Sequence, residues 1–326
     1  MNNALFPAKT IATRRIGPRR PRGAHIAALL AVLGSTLLPA QGQAGPLYAS
    51  VSLGGNATGD VTLRSRSNDR ASICDQYINP RALSVPGCAA PGRGAGDGWA
   101  APFDSGRGFS AEAELGYRFS PRFRIALVYG YRSTPFDQTV SSADASGVDF
   151  DKIGNELSTG EESLGTASSH ELFAVAYRDW PNRSRWTPFA GAGAGFAKAR
   201  KDFSWLWARS ANPEDILTGR DQPNAEEILG NLAGTVSTGR SALKDTTAGF
   251  LVLAGASRPL TDTVSLAIKA QWSRFAAFDS GAYGGGVLRS HAPNLRLDGS
   301  EPVSTWTRTD DTDRYSIMLT MRFAMP

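Results

Sequence analysis

The sequence predicts an all-β protein, an eight-stranded antiparallel up-and-down transmembrane β-barrel with four long external loops and short periplasmic turns. Three observations predict it. Apolar and polar residues alternate with period 2 in eight separate runs, the pattern of a strand whose two faces meet different surroundings. The connections between these runs are alternately long and short. The chain opens on a basic and then apolar stretch with the form of an export signal.

Lys9, Arg14, Arg15, Arg19, Arg20 and Arg22 precede an apolar run from Ile26 to Leu38, too short to span a bilayer as a helix. Gly42-Gln43-Ala44 follows as a small-x-small cleavage signal, which places a signal peptide at 1–44 and the barrel domain at 45–326. Gly17-Pro18 stand where a twin-arginine signal has an apolar pair, so the expected route is the Sec pathway. The chain has 35 Lys and Arg against 30 Asp and Glu. Six of the basic residues and no acidic ones lie in the leader, so the mature chain keeps 29 against 30, a net charge of −1. The high pI therefore belongs to the leader, and a nucleic-acid partner loses its electrostatic basis. Cys74 and Cys88, in an exported chain and at this spacing, read as one disulfide closing a short loop. His170 and His291 lie far from them and no second Cys pair exists, so neither a metal site nor a cofactor is expected.

The eight runs follow in order. Leu47, Ala49, Val51 and Leu53 share the apolar face of the first. Phe109, Ala111, Ala113, Leu115, Tyr117 and Phe119 form that of the second, and Phe123, Ile125, Leu127, Tyr129 and Tyr131 that of the third. In the fourth, Phe173, Val175 and Tyr177 are expected on the apolar face opposite Ala174, Ala176 and Arg178. Pro188, Ala190, Ala192, Ala194 and Phe196 alternate with Gly191, Gly193 and Gly195 in the fifth. Ala248, Phe250, Val252, Ala254 and Ala256 mark the sixth, and Val264, Leu266, Ile268, Ala270 and Trp272 the seventh. Tyr315, Ile317, Leu319, Met321 and Phe323 mark the eighth. Short turns are expected at Ser120-Pro121, across Pro181–Arg185 and across Arg258–Asp262. The other connections, near 56–107, 133–169, 201–245 and 277–312, read as long external loops.

A soluble barrel also alternates, with its apolar face inward. Aromatics at the ends of the apolar faces favour lipid outside, as interfacial girdles do. Phe119, Phe123, Tyr177, Trp186 and Phe323 are expected at the periplasmic rim, and Phe109, Tyr129, Tyr131, Phe173, Trp272 and Tyr315 at the outer rim. The opposite faces then point into a barrel narrow enough for side chains to fill. They carry Glu112, Glu114, Arg118, Arg124, Arg132, Arg178, Lys269 and Arg322, an interior charge network that is either structural or the gate of a narrow pore.

Gly108-Phe109 through Phe119, then Pro121-Arg122-Phe123 through Arg132, resembles the paired second and third strands of OmpA-like and opacity-type outer-membrane barrels. Thr187-Pro188-Phe189-Ala190-Gly191-Ala192-Gly193 is similar to their fifth strand, and Tyr315 to Phe323 to their closing strand. The resemblance implies location in the cell outer membrane of a Gram-negative bacterium, among outer-membrane lipids and lipopolysaccharide. It implies insertion by the barrel-assembly machinery, with Tyr315, Leu319, Met321 and Phe323 as the assembly signal, although Ala324-Met325-Pro326 follow where the family usually ends on the aromatic. Members include adhesins, resistance factors and narrow pores. No peptidoglycan-binding module is expected after the barrel.

The leading functional expectation is a surface-exposed structural or interaction barrel with an adhesion or envelope role, its loops open to an extracellular ligand. The alternatives are a narrow porin-like channel and a lipid-modifying enzyme. For the last, Ser290-His291 with Asp298 and Glu301 superficially resembles a deacylase constellation, but Pro293 stands where that family has a serine, so no catalytic residue is assigned and the chain is not expected to be an enzyme. His170, beside Glu171, reads as a solvated rim residue. Asn224 is a candidate N-cap for a very short helix ended by Gly230. Trp205 and Trp207, with Leu206, either pack a loop base or offer a ligand patch.

Overall fold

The computed structural model describes residues 46–68, 72–88, 98–141, 143–144, 156–283, 287–289, 294–310 and 312–325. The expected leader, the cleavage site and the pair Ser290-His291 lie outside these residues. The strands are β1 (Leu47–Thr58), β2 (Val61–Ser67), β3 (Trp99–Phe103), β4 (Gly106–Ser120), β5 (Phe123–Ser141), β6 (Ala143–Asp144), β7 (Leu157–Asp179) and β8 (Thr187–Arg209). A helix, α1 (Ala225–Leu232), separates these from β9 (Val236–Pro259), β10 (Val264–Phe275), β11 (Phe278–Tyr283), β12 (Val287–Arg289), β13 (Thr305–Thr309) and β14 (Thr312–Ala324).

Eight strands close a ring in the order β10-β14-β1-β4-β5-β7-β8-β9, with β9 pairing back to β10 and every pairing antiparallel. Closure removes the free edges that lipid does not tolerate. The outer face carries a continuous apolar band including Leu53, Leu115, Ile125, Leu127, Phe250, Ile268, Ile317 and Leu319, all exposed. This matches the outward apolar face of a transmembrane barrel. The alternation read from the sequence holds for seven of the eight strands.

The fourth barrel strand, β7, is turned over. Phe173, Val175 and Tyr177 are buried inside the barrel, while Ala174, Ala176 and Arg178 point outward. Space explains it. The inward glycines of β8 stand beside these three side chains: a Cβ at Gly191 would lie 2.9 Å from the Tyr177 ring, at Gly193 2.8 Å from Val175 Cγ2 and at Gly195 2.8 Å from the Phe173 ring. The glycine run thus receives aromatic and branched side chains of β7. Phe173 and Tyr177 consequently leave the rim girdles, while Arg178 lies over the outward Phe123 ring at 4.7 Å.

The long connections also differ from expectation. β7, β8 and β9 run for 23, 23 and 24 residues and β5 for 19. At 3.3–3.4 Å per residue these strands rise well beyond the roughly 25 Å apolar band. A five-stranded sheet, in the order β11-β13-β2-β3-β6, stands beside the rising strands, with β3 against β5 and β11 against β9. Between them lies a second apolar core of Leu63, Phe103, Phe136, Leu164, Phe203, Leu243 and Phe278. The sequence reads this region as loops because its strands are short or polar on their outer face. We call it the head.

A cap tops the head. Cys74 and Cys88 form the expected disulfide, with Cα atoms 5.1 Å apart. The loop they close packs Ile78 against Ile216, Ile228 and Leu232. Helix α1 passes through Gly230 and ends at Leu232, because Ile228 and Leu232 are both buried on this cluster. Asn224 precedes α1 without a side-chain cap bond, and donates instead to Asn79 Oδ1 at 2.9 Å and Glu227 Oε2 at 3.0 Å. Arg296 Nη2 donates to the Cys88 carbonyl at 2.6 Å, which ties the fourth connection to the first.

Candidate functional site

The barrel interior is built in layers. Its periplasmic end is a vestibule of about 620 Å³, lined among others by Pro46, Arg118, Asp179, Pro259 and Arg322. Tyr48, Asp179 and Arg322 line the vestibule, and behind the first two lies Arg124, which β5 delivers inward between the outward Phe123 and Ile125. Arg124 Nη1 lies 3.1 Å from Glu114 Oε1 and its Nε 3.1 Å from Asp179 Oδ2. Its Nη1 also donates to Tyr48 Oη at 2.8 Å. Tyr48 donates to Glu114 Oε1 at 2.6 Å and Tyr177 to Glu114 Oε2 at 3.0 Å, so both oxygens of the carboxylate are held. The Tyr177 ring lies 3.6 Å beneath the guanidinium. Arg322 extends the layer, with its guanidinium over the Tyr48 and Phe189 rings. A Cβ at Gly116 would lie 2.2 Å from Tyr48 Cζ, so this close approach requires glycine.

Apolar side chains fill the next level, where Val128, Phe173, Val175, Leu251, Leu253 and Phe275 are buried together. A second charged layer accompanies them. Lys269 Nζ meets Glu112 Oε2 at 2.6 Å, and Arg132 Nη2 approaches Glu112 Oε1 at 3.6 Å. Glu171 joins Arg132 Nε at 3.0 Å to Arg314 Nη1 at 2.8 Å, and also accepts from Ser169. Buried charges paired and hydrogen-bonded in this way lock neighbouring strands together, since removal of either partner leaves a costly lone charge.

Of the expected interior residues, Glu112, Glu114, Arg124, Arg132, Lys269 and Arg322 are buried inside the barrel. Arg118 and Arg178 are not part of the network. Arg118 has the inward parity but sits in the open vestibule next to the irregularity that ends β4. Arg178 faces outward with the rest of the turned β7. Sequence reasoning missed Tyr48, Glu171, Tyr177, Asp179 and Arg314. Tyr48 has the inward parity of β1, and Glu171 and Asp179 share the odd-numbered face of β7. Two carboxylates on that face were the signal that it is the inner one. Tyr315, Leu319, Met321 and Phe323 lie on the outward face of β14, where the closing strand pairs with β1 and β10.

Ionisable groups of the head are also buried, among them Glu162, Glu156 and Lys201. Glu162 is enclosed in the second core and accepts a hydrogen bond from Trp99 Nε1. Burial pushes its carboxyl up to about 8, against the lowering effect of Trp99. Glu156 shows the opposite balance: burial raises it, but hydrogen bonds from Arg209 and Thr218 hold it below the usual carboxylate range. Lys201 is buried beside Phe278, and burial followed by the Arg314 charge lowers its amine to about 7, against Asp245. Trp207 meets Trp99 edge-on at 4.8 Å and Trp205 packs on the second core, so both tryptophans pack the base of the head while Leu206 is exposed. His170 is exposed at the rim with Nδ1 2.7 Å from Tyr129 Oη. Asp298 is exposed in a turn and accepts from the Ser300 N–H, and Glu301 pairs with Arg296 at 3.1 Å. Among the described residues, no group of three or more His, Cys, Asp or Glu side chains could hold a metal ion.

No family model matches the chain, and a search of curated proteins gives no match. Solved structures do align with it. Neisserial surface protein A aligns over 86% of this chain and 99% of its own, at 13% identity and a TM-score of 0.37. The outer membrane protein OprG from Pseudomonas aeruginosa aligns over 88% and 100%, at 10% identity and a TM-score of 0.40. The outer membrane protease OmpT from Escherichia coli aligns over 89% and 100%, at 10% identity and a TM-score of 0.36.

Proposed function

We propose that the mature chain is an integral outer-membrane β-barrel that serves as a surface-exposed structural or interaction protein, with an adhesion or envelope role. The observation that carries this reading is the filled interior: the Arg124 layer closes the vestibule, and the apolar level and the Glu112–Glu171 layer lie above it. A barrel filled with paired charges and packed rings is suited to hold something up. What it holds up here is a built head with its own core and a disulfide-closed cap, the surface an extracellular ligand would meet. The apolar band and its aromatic rims suit outer-membrane lipid and lipopolysaccharide. In this reading residues 1–44 are the export signal, and the barrel-assembly machinery recognises Tyr315, Leu319, Met321 and Phe323 on the closing strand. No catalytic role is assigned.

A pore is the competing reading, and the wide vestibule is the feature that favours it. Planar-bilayer recording of the refolded mature chain separates the two. The expected result is a quiet membrane with no unitary steps. Reproducible unitary currents would favour the pore.

A further inference from the structure

The upper interior holds more positive than negative charge. Arg132, Arg314, Lys201 and Lys269 are cations drawn into it, and the carboxylates of its paired layer are Glu112 and Glu171. Glu112 is committed to Lys269 at 2.6 Å and stands 3.6 Å from Arg132, while Glu171 is shared between Arg132 and Arg314. Arg132 therefore keeps Nη1 and Nη2 buried without a hydrogen-bond partner. Lys201 is 6% exposed and reaches the Thr309 hydroxyl at 3.2 Å and the Phe278 ring at 4.2 Å. Asp245 acts on Lys201 only as a more distant charge, and the nearby Arg200 is paired with Asp202 at 3.0 Å.

Arg132, Arg314 and Lys201 all line one cavity of about 20 Å³, with Thr58, Thr134 and Thr312 also in its walls. A cavity needs roughly 10–15 Å³ to hold a water molecule, so this one takes a single water or a single monatomic anion and excludes phosphate or a carboxylate ligand. Three cations around one small volume form an anion cradle, and one of them, Arg132, has Nη1 and Nη2 without a hydrogen-bond partner.

We propose that this cavity is a halide site, occupied by one chloride ion held between Arg132, Arg314 and Lys201. The anion offsets the buried positive charge where the barrel passes into the head, and it keeps Lys201 protonated inside an apolar core. The site is independent of the surface role, since a pore or an enzyme could carry it equally well.

Anomalous diffraction from crystals of the refolded mature chain grown in bromide tests the proposal. The expected result is an anomalous peak inside the cavity, lost in Lys201→Met. A cavity with water density and no anomalous peak, at a bromide concentration that labels surface positions, overturns it. A peak undiminished in Lys201→Met overturns the three-cation site. If that variant fails to fold, the map of the unsubstituted chain decides alone.

Discussion

Arg124 and Glu162 are buried ionisable groups of opposite kinds. Arg124 is 1% exposed and its charge is answered by Glu114 and Asp179. Arg124→Met would leave two carboxylates facing each other in the barrel, and breaking a buried pair in this way costs about 3–5 kcal/mol. Urea unfolding from lipid vesicles should show that loss, and a change below about 1 kcal/mol would contradict the closing role of this layer. Glu162 has no cationic partner at hydrogen-bond distance among the described residues, and burial raises its carboxyl to about 8 from the usual 4.5. A raised value means that the protonated form is the one the fold prefers. The stabilisation is complete below about 4.5 and is lost as pH rises through about 8. Protection of the inner strands of the head against hydrogen exchange, corrected for the intrinsic rise of exchange with pH, should therefore fall across that window, and Glu162→Gln should flatten that fall. An identical pH profile in the variant would show that Glu162 is not buried as described.

At the scale of elements, the strand faces were legible wherever one parity was apolar and the other charged or small, as in β4, β5, β10 and β14. β7 defeated the rule because both parities are apolar over Phe173–Tyr177, and its inner face is decided by neighbours on other strands: Glu114 and Arg124 below, the glycines of β8 beside it. Alternation along one strand carries no information about such cross-strand space. The same limit hid Arg314 and Tyr48, whose partners lie on other strands. The disulfide was legible because the chain has only two cysteines, at a spacing that closes a short loop. It ties down the cap rather than the ring, since Ile78 within its loop anchors α1. Cys74→Ser should cost about 3 kcal/mol of cap stability by the loop-entropy model. Limited proteolysis should then cut near α1 while the barrel keeps its heat-modifiable gel mobility. Loss of the folded barrel band would place the disulfide in the stability of the whole fold instead.

For the molecule as a whole, the eight-stranded ring was legible and the head was not. The ring repeats one physical contrast eight times, lipid against interior, and each strand records it in its alternation. The head is assembled from short strands such as β3 and β13, of five residues each, whose pairings lie far apart in sequence. Its core residues Leu63, Leu164 and Leu243 come from three of the connections read as loops, and nothing local marks them as partners. The central claim is that the apolar face of this ring meets lipid. Leu127 is 53% exposed in the middle of the band, between the inward Ala126 and Val128. Arginine at a lipid-facing midplane position costs roughly 2–4 kcal/mol. The direct measurement is the folding yield of Leu127→Arg into lipid vesicles, read by the heat-modifiable gel shift. The account predicts a strongly reduced folded fraction, whereas folding equal to that of the unsubstituted chain would contradict the lipid-facing assignment.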